Sequence, residues 1–310
     1  MTRLLNSKNE HLGYGLVFFS GILWGLSGFF VKELQRLGAD SSLISFMRVS
    51  IAFVAMLVFC VVKFGVKSLI ISQKQIFVCA ALGLVCHGVY NLFYNFAITT
   101  LGISFSTVIL YLSPAMTLIF SSIIYKEKIN FIKIFAILVN ILGCGLTITN
   151  GRFNISGFVV AGIVAAVGAC ICYSMNSIIG KMSDKGTNPF VMSMYSFFFA
   201  AVVLMVIVKP WVYRDTLQVT GVVEWGVLYA LIPTAVTYAI YYIGIQKVKD
   251  CSKVPVIASV EVVVASIVGV TLFGEHIGSI SIMGIAMVIA SIVMMNTHFY
   301  KDIISLNAAK

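Results

Sequence analysis

Ten stretches of about twenty predominantly apolar residues, parted by connectors of only a few residues, take up almost the whole chain. They fall at 14–34, 42–63, 75–99, 103–125, 131–149, 157–180, 189–209, 222–246, 254–273 and 280–299. A bilayer core takes about 20 such residues per helix. Within that core every backbone N–H and C=O must be satisfied inside the segment itself. The pattern therefore predicts an all-α membrane protein with ten transmembrane helices. Of the 310 residues 60% are hydrophobic and 10% charged, so most of the surface needs lipid as its solvent. No hydrophilic stretch is long enough to fold as a soluble catalytic domain. The first stretch is long, lacks a small-residue cleavage site and ends in Lys32, Glu33 and Arg36, so it is read as a helix and not as a signal peptide.

The net charge of +10 would point to nucleic acid in a soluble protein; here its distribution carries the information. With the N-terminus placed inside, 15 of the 21 basic residues fall in inner segments, among them Arg3, Lys8, Lys126, Lys128, Lys133, Lys181, Lys185, Lys247, Lys249, Lys253, Lys301 and Lys310. Only Lys32, Arg36, Arg152, Lys209 and Arg214 fall outside, and Arg48 lies within a span. The asymmetry predicts a multi-pass protein of the cell (inner or plasma) membrane with both termini cytoplasmic and no nucleic-acid partner. The seven cysteines lie in or beside spans without a CxxC pair and are read as small apolar helix residues. There is no GxxxxGK[ST], no metal-ligand cluster and no Ser/His/Asp arrangement, so neither a cofactor nor ATP-driven pumping nor an enzyme is expected.

Sliding the second half over the first reveals a repeat. At an offset of 148, Tyr125-Lys126-Glu127-Lys128-Ile129 falls on Phe273-Gly274-Glu275-His276-Ile277, Gly38 on Gly186, and Ala136 and Gly143 on Gly284 and Ser291. At 147, Tyr94 meets Tyr241. The chain thus divides at 1–150 and 151–310 into two five-helix units. An odd number of helices makes the second unit enter from the opposite side, and such inverted repeats place a substrate site near the midplane.

Glu261 is the one acidic residue deep inside a span, where an uncompensated carboxylate is costly. It is read as a counter-ion for a cationic or zwitterionic substrate or as a proton-coupling group, against an interhelical hydrogen bond as the structural alternative. In helix 3, His87, Tyr90, Asn91 and Tyr94 stand at i, i+3, i+4 and i+7, on one α-helical face. Their helix 8 counterparts are Thr234, Thr237, Tyr238 and Tyr241. Two such stripes facing each other would line a cavity suited to a polar, cationic or planar ligand. Arg48, two turns into helix 2, either binds a substrate carboxylate or pairs with Glu33 or Asp40. Trp24, Ser27, Tyr111, Ser113 and Asn176 complete the mid-depth inventory, with Asn176 and Gly28 opposite each other by the offset on one cavity wall. Glu127 and Glu275 sit where spans 4 and 9 end, as boundary or gate contacts.

The segment Gly21-Ile22-Leu23-Trp24-Gly25-Leu26-Ser27, then Lys32 and Phe46-Met47-Arg48, resembles the opening of the drug/metabolite transporter superfamily, in particular its ten-helix EamA-type members. Tyr111-Leu112-Ser113-Pro114 running to Glu127, and the Glu261 helix running to Gly274-Glu275, resemble the family's helices 4 and 9, and the likeness spans residues 14 to 298. It implies a secondary transporter of a small-molecule substrate, exporting amino acids or related amines by alternating access. Uptake of choline or another quaternary amine is the second choice, and a membrane-embedded lipid or isoprenoid enzyme the alternative outside transport. A proton or sodium ion is the expected coupling ion, and the partners are the bilayer and, at most, a second copy (monomer or homodimer). One departure stands out: Glu261 is followed by Val262 where many relatives have proline, although helix 4 keeps Ser113-Pro114 at the equivalent place, so a gating role for a helix 9 kink is not expected here.

Overall fold

The computed structural model describes residues 2–152, 159–184 and 186–307, with side chains over 9–152, 159–184 and 186–295. Lys185 and Lys310, counted in the charge balance, and the side chains of Arg3, Lys8 and Lys301 lie outside the described residues. Every regular element described is helical. Nine helices among the described residues are long and apolar enough to span a bilayer: α1 (Asn9–Arg36), α2 (Ser41–Phe64), α3 (Gln73–Leu101), α4 (Ile103–Ile124), α5 (Phe131–Thr149), α6 (Val160–Lys181), α7 (Pro189–Val208), α8 (Val222–Lys247) and α9 (Cys251–Phe273). A tenth, α10 (Ser279–Asn307), contributes a described apolar part over Ser279–Met295. The protein is a multi-pass integral membrane protein.

Local chemistry sets the ends of these helices. Asp40 and Asn130 accept the N–H of Leu43 and Lys133 at the starts of α2 and α5, and Ser72 does the same for Gln75 in α3. Gly274 and Asn150 close α9 and α5 in the left-handed conformation that stops a helix. Large apolar side chains such as Val62, Phe77, Phe131 and Val206 point outward, where lipid is the solvent. Lipid tails give helices no hydrophobic reason to associate, so close backbone approach and interhelical hydrogen bonds do that work. At the α5–α10 crossing a Cβ on Gly143 would meet the Gly284 carbonyl oxygen, and one on Gly284 would meet that of Gly143. Asn140 of α5 donates to Ser259 and Ser291 beside this crossing, at 2.7 and 2.9 Å. The small-residue faces of helices 5 and 10 therefore pack inside the bundle.

The packing repeats with the sequence. α5 packs on its counterpart α10, and α2 on its counterpart α7. α1 packs on α8 and α9 as α6 packs on α3 and α4, while α2 touches α8 as α7 touches α3. These main neighbour relations occur twice, as two inverted five-helix units sharing one interior require.

Regular winding fails at matched places. α3 turns into a π-helix over Leu82–Val89, and α8 does so over Leu231–Val236, where Pro233 removes an N–H. α4 breaks at Tyr111 and Leu112, ahead of Pro114. α9 breaks at Ser259, the counterpart of Tyr111 at the 148 offset. The interruption in α9 thus exists without a proline after Glu261. A tertiary contact supplies the reason, since Ser259 Oγ donates to Val256 O and accepts from Asn140 of α5.

Candidate functional site

The break at Ser259 puts Glu261 in the first turn of the segment Val260–Phe273, where the helix dipole favours a negative charge. Tyr111, in the matching break of α4, donates to Glu261 Oε1 at 2.6 Å, and Tyr173 of α6 stands beside the same carboxyl. One hydrogen bond thus joins the two discontinuities, one from each repeat. Gly25 lets α1 pass against the Glu261 backbone, for a Cβ there would collide with the Glu261 carbonyl and Val264. Glu261 is deep in the bundle yet keeps part of its surface free, and no basic side chain among the described residues pairs with it. Such a carboxyl can hold a cation or a proton.

Aromatic rings surround it. Trp24 lies 5.1 Å from Tyr238 and 4.9 Å from Tyr241, ring centre to ring centre. Tyr90 stacks on Tyr94 at 5.5 Å and leans on Tyr173. Trp24, Ser27, Tyr90, Tyr94, Tyr111 and Tyr173 all keep partial exposure in the interior. Tyr173 falls opposite Gly25 in the repeat, next to Trp24, and that register was the signal by which the sequence alone would have found it.

The helix 3 stripe does not stay on one face. Its π-helical turn ends at Val89, so His87 is wound differently from the residues after it. His87 sits edge-on to Tyr238 at 4.7 Å and beside Phe197 of α7, while Tyr90 and Tyr94 turn toward α6 and α4. Asn91 is buried, donating to His87 O and accepting from Ser45 of α2. Tyr94 bonds Thr107 and Tyr241 bonds Ser177, so these two counterparts do not meet each other. Thr234 and Thr237 donate to carbonyls five residues back and serve the π-helix of α8. Asn176 is buried and accepts from Tyr242, whereas Gly28 is exposed, so they do not form one cavity wall. Ser113 is fully buried at the α4 break.

Arg48 pairs with neither Glu33 nor Asp40. Glu33 is held by Arg36 at 2.9 Å, and Asp40 caps α2 and accepts from Tyr213. The guanidinium reaches the Tyr229 hydroxyl at 3.5 Å and lies 5.9 Å from that ring. Tyr90 and Tyr238 stand within electrostatic reach of both Arg48 and Glu261.

Two ion pairs mark the ends of the bundle. At the lysine-rich end Glu127 accepts from the N–H of Cys251 at 2.6 Å and of Ser252 at 3.1 Å, and from Lys181 at 3.3 Å. Burial alone would raise its pKa, but these donors hold it below the ordinary value. Asp250 is likewise held low, against burial, by Lys133 at 3.1 Å and by Lys253. A cavity of about 740 Å³ opens beside this network. At the opposite end Lys32 pairs with Glu275. Lys181 also lies 4.9 Å over the Tyr125 ring, and Lys32 lies 4.2 Å over that of Phe273, the counterpart of Tyr125.

The pattern of the EamA-like transporter family matches residues 11–149 and again 160–297. The chain belongs to this family. An uncharacterized transporter of Archaeoglobus fulgidus is 22% identical over 91% of this chain and 95% of its own length. Another, from Bacillus subtilis, is 25% identical over 73% of this chain and 74% of its own. A crystal structure 14% identical in sequence superposes with a TM-score of 0.75 over 92% of this chain and 97% of the other, so the fold is shared. In EamA-like terms, the two matched segments are the two units whose breaks meet at Tyr111 and Glu261.

Proposed function

We propose that this EamA-like transporter is a secondary carrier that exports amino acids or related amines, and that Glu261 holds the ammonium group of the cargo. The reading is carried by one observation: the Glu261 carboxyl, paired with no basic side chain among the described residues, and the Tyr111 hydroxyl bridge the broken helices of both repeats inside an aromatic interior. Cargo that takes over the carboxyl competes with Tyr111 and so loosens one repeat from the other, which is the coupling that alternating access needs. Trp24, partly exposed and backed by the buried rings of Tyr238 and Tyr241, offers an aromatic surface to a cation, and this favours choline or another quaternary amine as the second reading. A proton or sodium ion competing for the same carboxyl would drive the cycle. Lys181–Glu127 and Lys32–Glu275 act as the two gates, in a cell membrane with both termini cytoplasmic. The protein moves its substrate unchanged, as a carrier and not as an enzyme.

Glu261→Gln keeps the Tyr111 contact but removes the charge. In proteoliposomes it should lower amino-acid counterflow by at least about tenfold with expression intact, tenfold being about 1.4 kcal/mol of lost interaction. Flux equal to wild type would remove Glu261 from the cargo site. Labelled choline accumulating while amino acids fail to compete would replace the leading reading with the second.

A further inference from the structure

Glu261 accounts for the positive group of a ligand and leaves a second polar locus of the interior unused. At the joint of α2, α3 and α8, Arg48 is deep and partly accessible, its Nε has no hydrogen-bond partner, and no carboxylate lies at ion-pair distance among the described residues. Its one polar contact is the long approach to the Tyr229 hydroxyl. His87 is fully buried within electrostatic reach of Arg48, and neither of its ring nitrogens has a partner. A guanidinium cannot shed its charge, and a neutral imidazole brings one N–H donor and one acceptor nitrogen. Orphaned polar groups of this kind, at membrane depth, are costly unless a ligand completes them.

We propose that Arg48 and His87 form a carboxylate-binding pole of the central site, so that the cargo is an amino acid recognised at both ends and not a bare amine. A carboxylate supplies acceptors for the Arg48 Nε–H and the His87 ring N–H together. Ring centre to ring centre, Tyr238 lies 4.7 Å from His87, and Tyr90 lies 5.9 Å from Tyr173, which stands beside the Glu261 carboxyl. The π-helical turn in α3 is what aims His87 at Tyr238 and away from the Tyr90–Tyr94 stack, and the irregular winding thereby acquires a role. This inference rests on the amine reading of Glu261 and adds to it the class of substrate.

The test is binding to the purified full chain in nanodiscs, with neutral L-amino acids each paired with its own carboxamide. The amide keeps the amine and side chain but loses the anionic group. In the wild-type protein a bound amino acid should outbind its amide by about tenfold or more, as a site built for a polar group rejects the analogue without it. In Arg48→Gln the two should come within about threefold of each other, with the amide binding as in wild type, a pattern that a merely structural arginine would not give. His87→Phe, which keeps the burial, should narrow the gap in part. If Arg48→Gln does not fold, Arg48→Lys should still prefer the acid, by less. Equal binding of acid and amide by the wild type would overturn the carboxylate pole and leave the amine reading standing. Failure of both ligands to bind would take down that reading and this inference with it.

Discussion

The two ends of the bundle are built from the same parts and stand in different states. Each has a glutamate just past a helix end, a lysine from the first helix of the other repeat's neighbour pair, and a ring beneath that lysine: Glu127, Lys181 and Tyr125 at one end, Glu275, Lys32 and Phe273 at the other. Both glutamates even share a backbone bond of the same register, Glu127 N–H to Ser121 O and Glu275 N–H to Gly269 O. The difference lies in what their carboxylates reach. The Glu127 side chain is 5% exposed and caps the start of α9 through Cys251 and Ser252, whereas that of Glu275 is 52% exposed and among the described residues bonds Lys32 alone. The counterparts of Cys251 and Ser252 at the 148 offset are Ile103 and Ser104, at the start of α4. The lysine-rich end is therefore the more tightly bonded of the two. The opposite end keeps its Lys32–Glu275 pair but lacks the helix cap, and the proposed carrier cycle has Glu275 capping Ile103 and Ser104 when Glu127 lets go.

The largest effect expected is from Glu127→Ala, which removes an ion pair and two charge-assisted bonds from a buried position. Cys251, buried and otherwise sheltered by its contact with Ser177 O, then becomes a reporter. Its labelling by a membrane-impermeant maleimide should rise by about tenfold or more, given that such donors are worth about 1.5–3 kcal/mol each. Unchanged labelling would break the claim that this latch seals the end. A smaller effect should follow from acid. Glu127 and Asp250 are held below their ordinary values of 4.5 and 3.8, so their contribution is complete above those values and is lost as pH falls through the lowered ones. Cys251 labelling should stay low from neutral pH down to 4.5 and rise only below it. Smallest in stability is Glu275→Gln, because an exposed pair contributes about 0–1 kcal/mol. Its melting temperature should match wild type while flux falls several-fold, since here only the exposed Lys32 pair is weakened and the proposed cap belongs to the other state. Equal loss of stability and flux would show that the two ends are not one device used twice.

The ten spans, the inverted repeat, Glu261 and the two boundary glutamates were legible in the sequence, because hydropathy and a fixed offset are local and additive signals. What escaped depends on contacts between elements. The break in α9 is held by Asn140 from α5 and not by a proline beside Glu261. The π-helix over Leu82–Val89 carries no proline of its own, so the i, i+3, i+4, i+7 arithmetic placed His87 with Tyr90 when the winding parts them. Arg48 was offered two carboxylates by its depth in helix 2, and both were already engaged, one by Arg36 and one by the cap of α2. Tyr173 and Tyr229 were passed over because a lone tyrosine in an apolar span looks like packing until its neighbour is known.

The claim that one latch opens as the other closes can be read from two distances in the same protein. Spin labels at exposed Lys128 and Lys249 span the lysine-rich end, and labels at exposed Gln35 and Ile103 span the other. Pulsed electron–electron resonance in nanodiscs, with and without saturating amino acid, should give two populations in which one distance is short whenever its partner is long. The Glu127→Ala variant should shift weight to the population with the lysine-rich end open. Distances that stay fixed while the labelled protein still transports, or that lengthen together, would contradict alternating access between the two repeats.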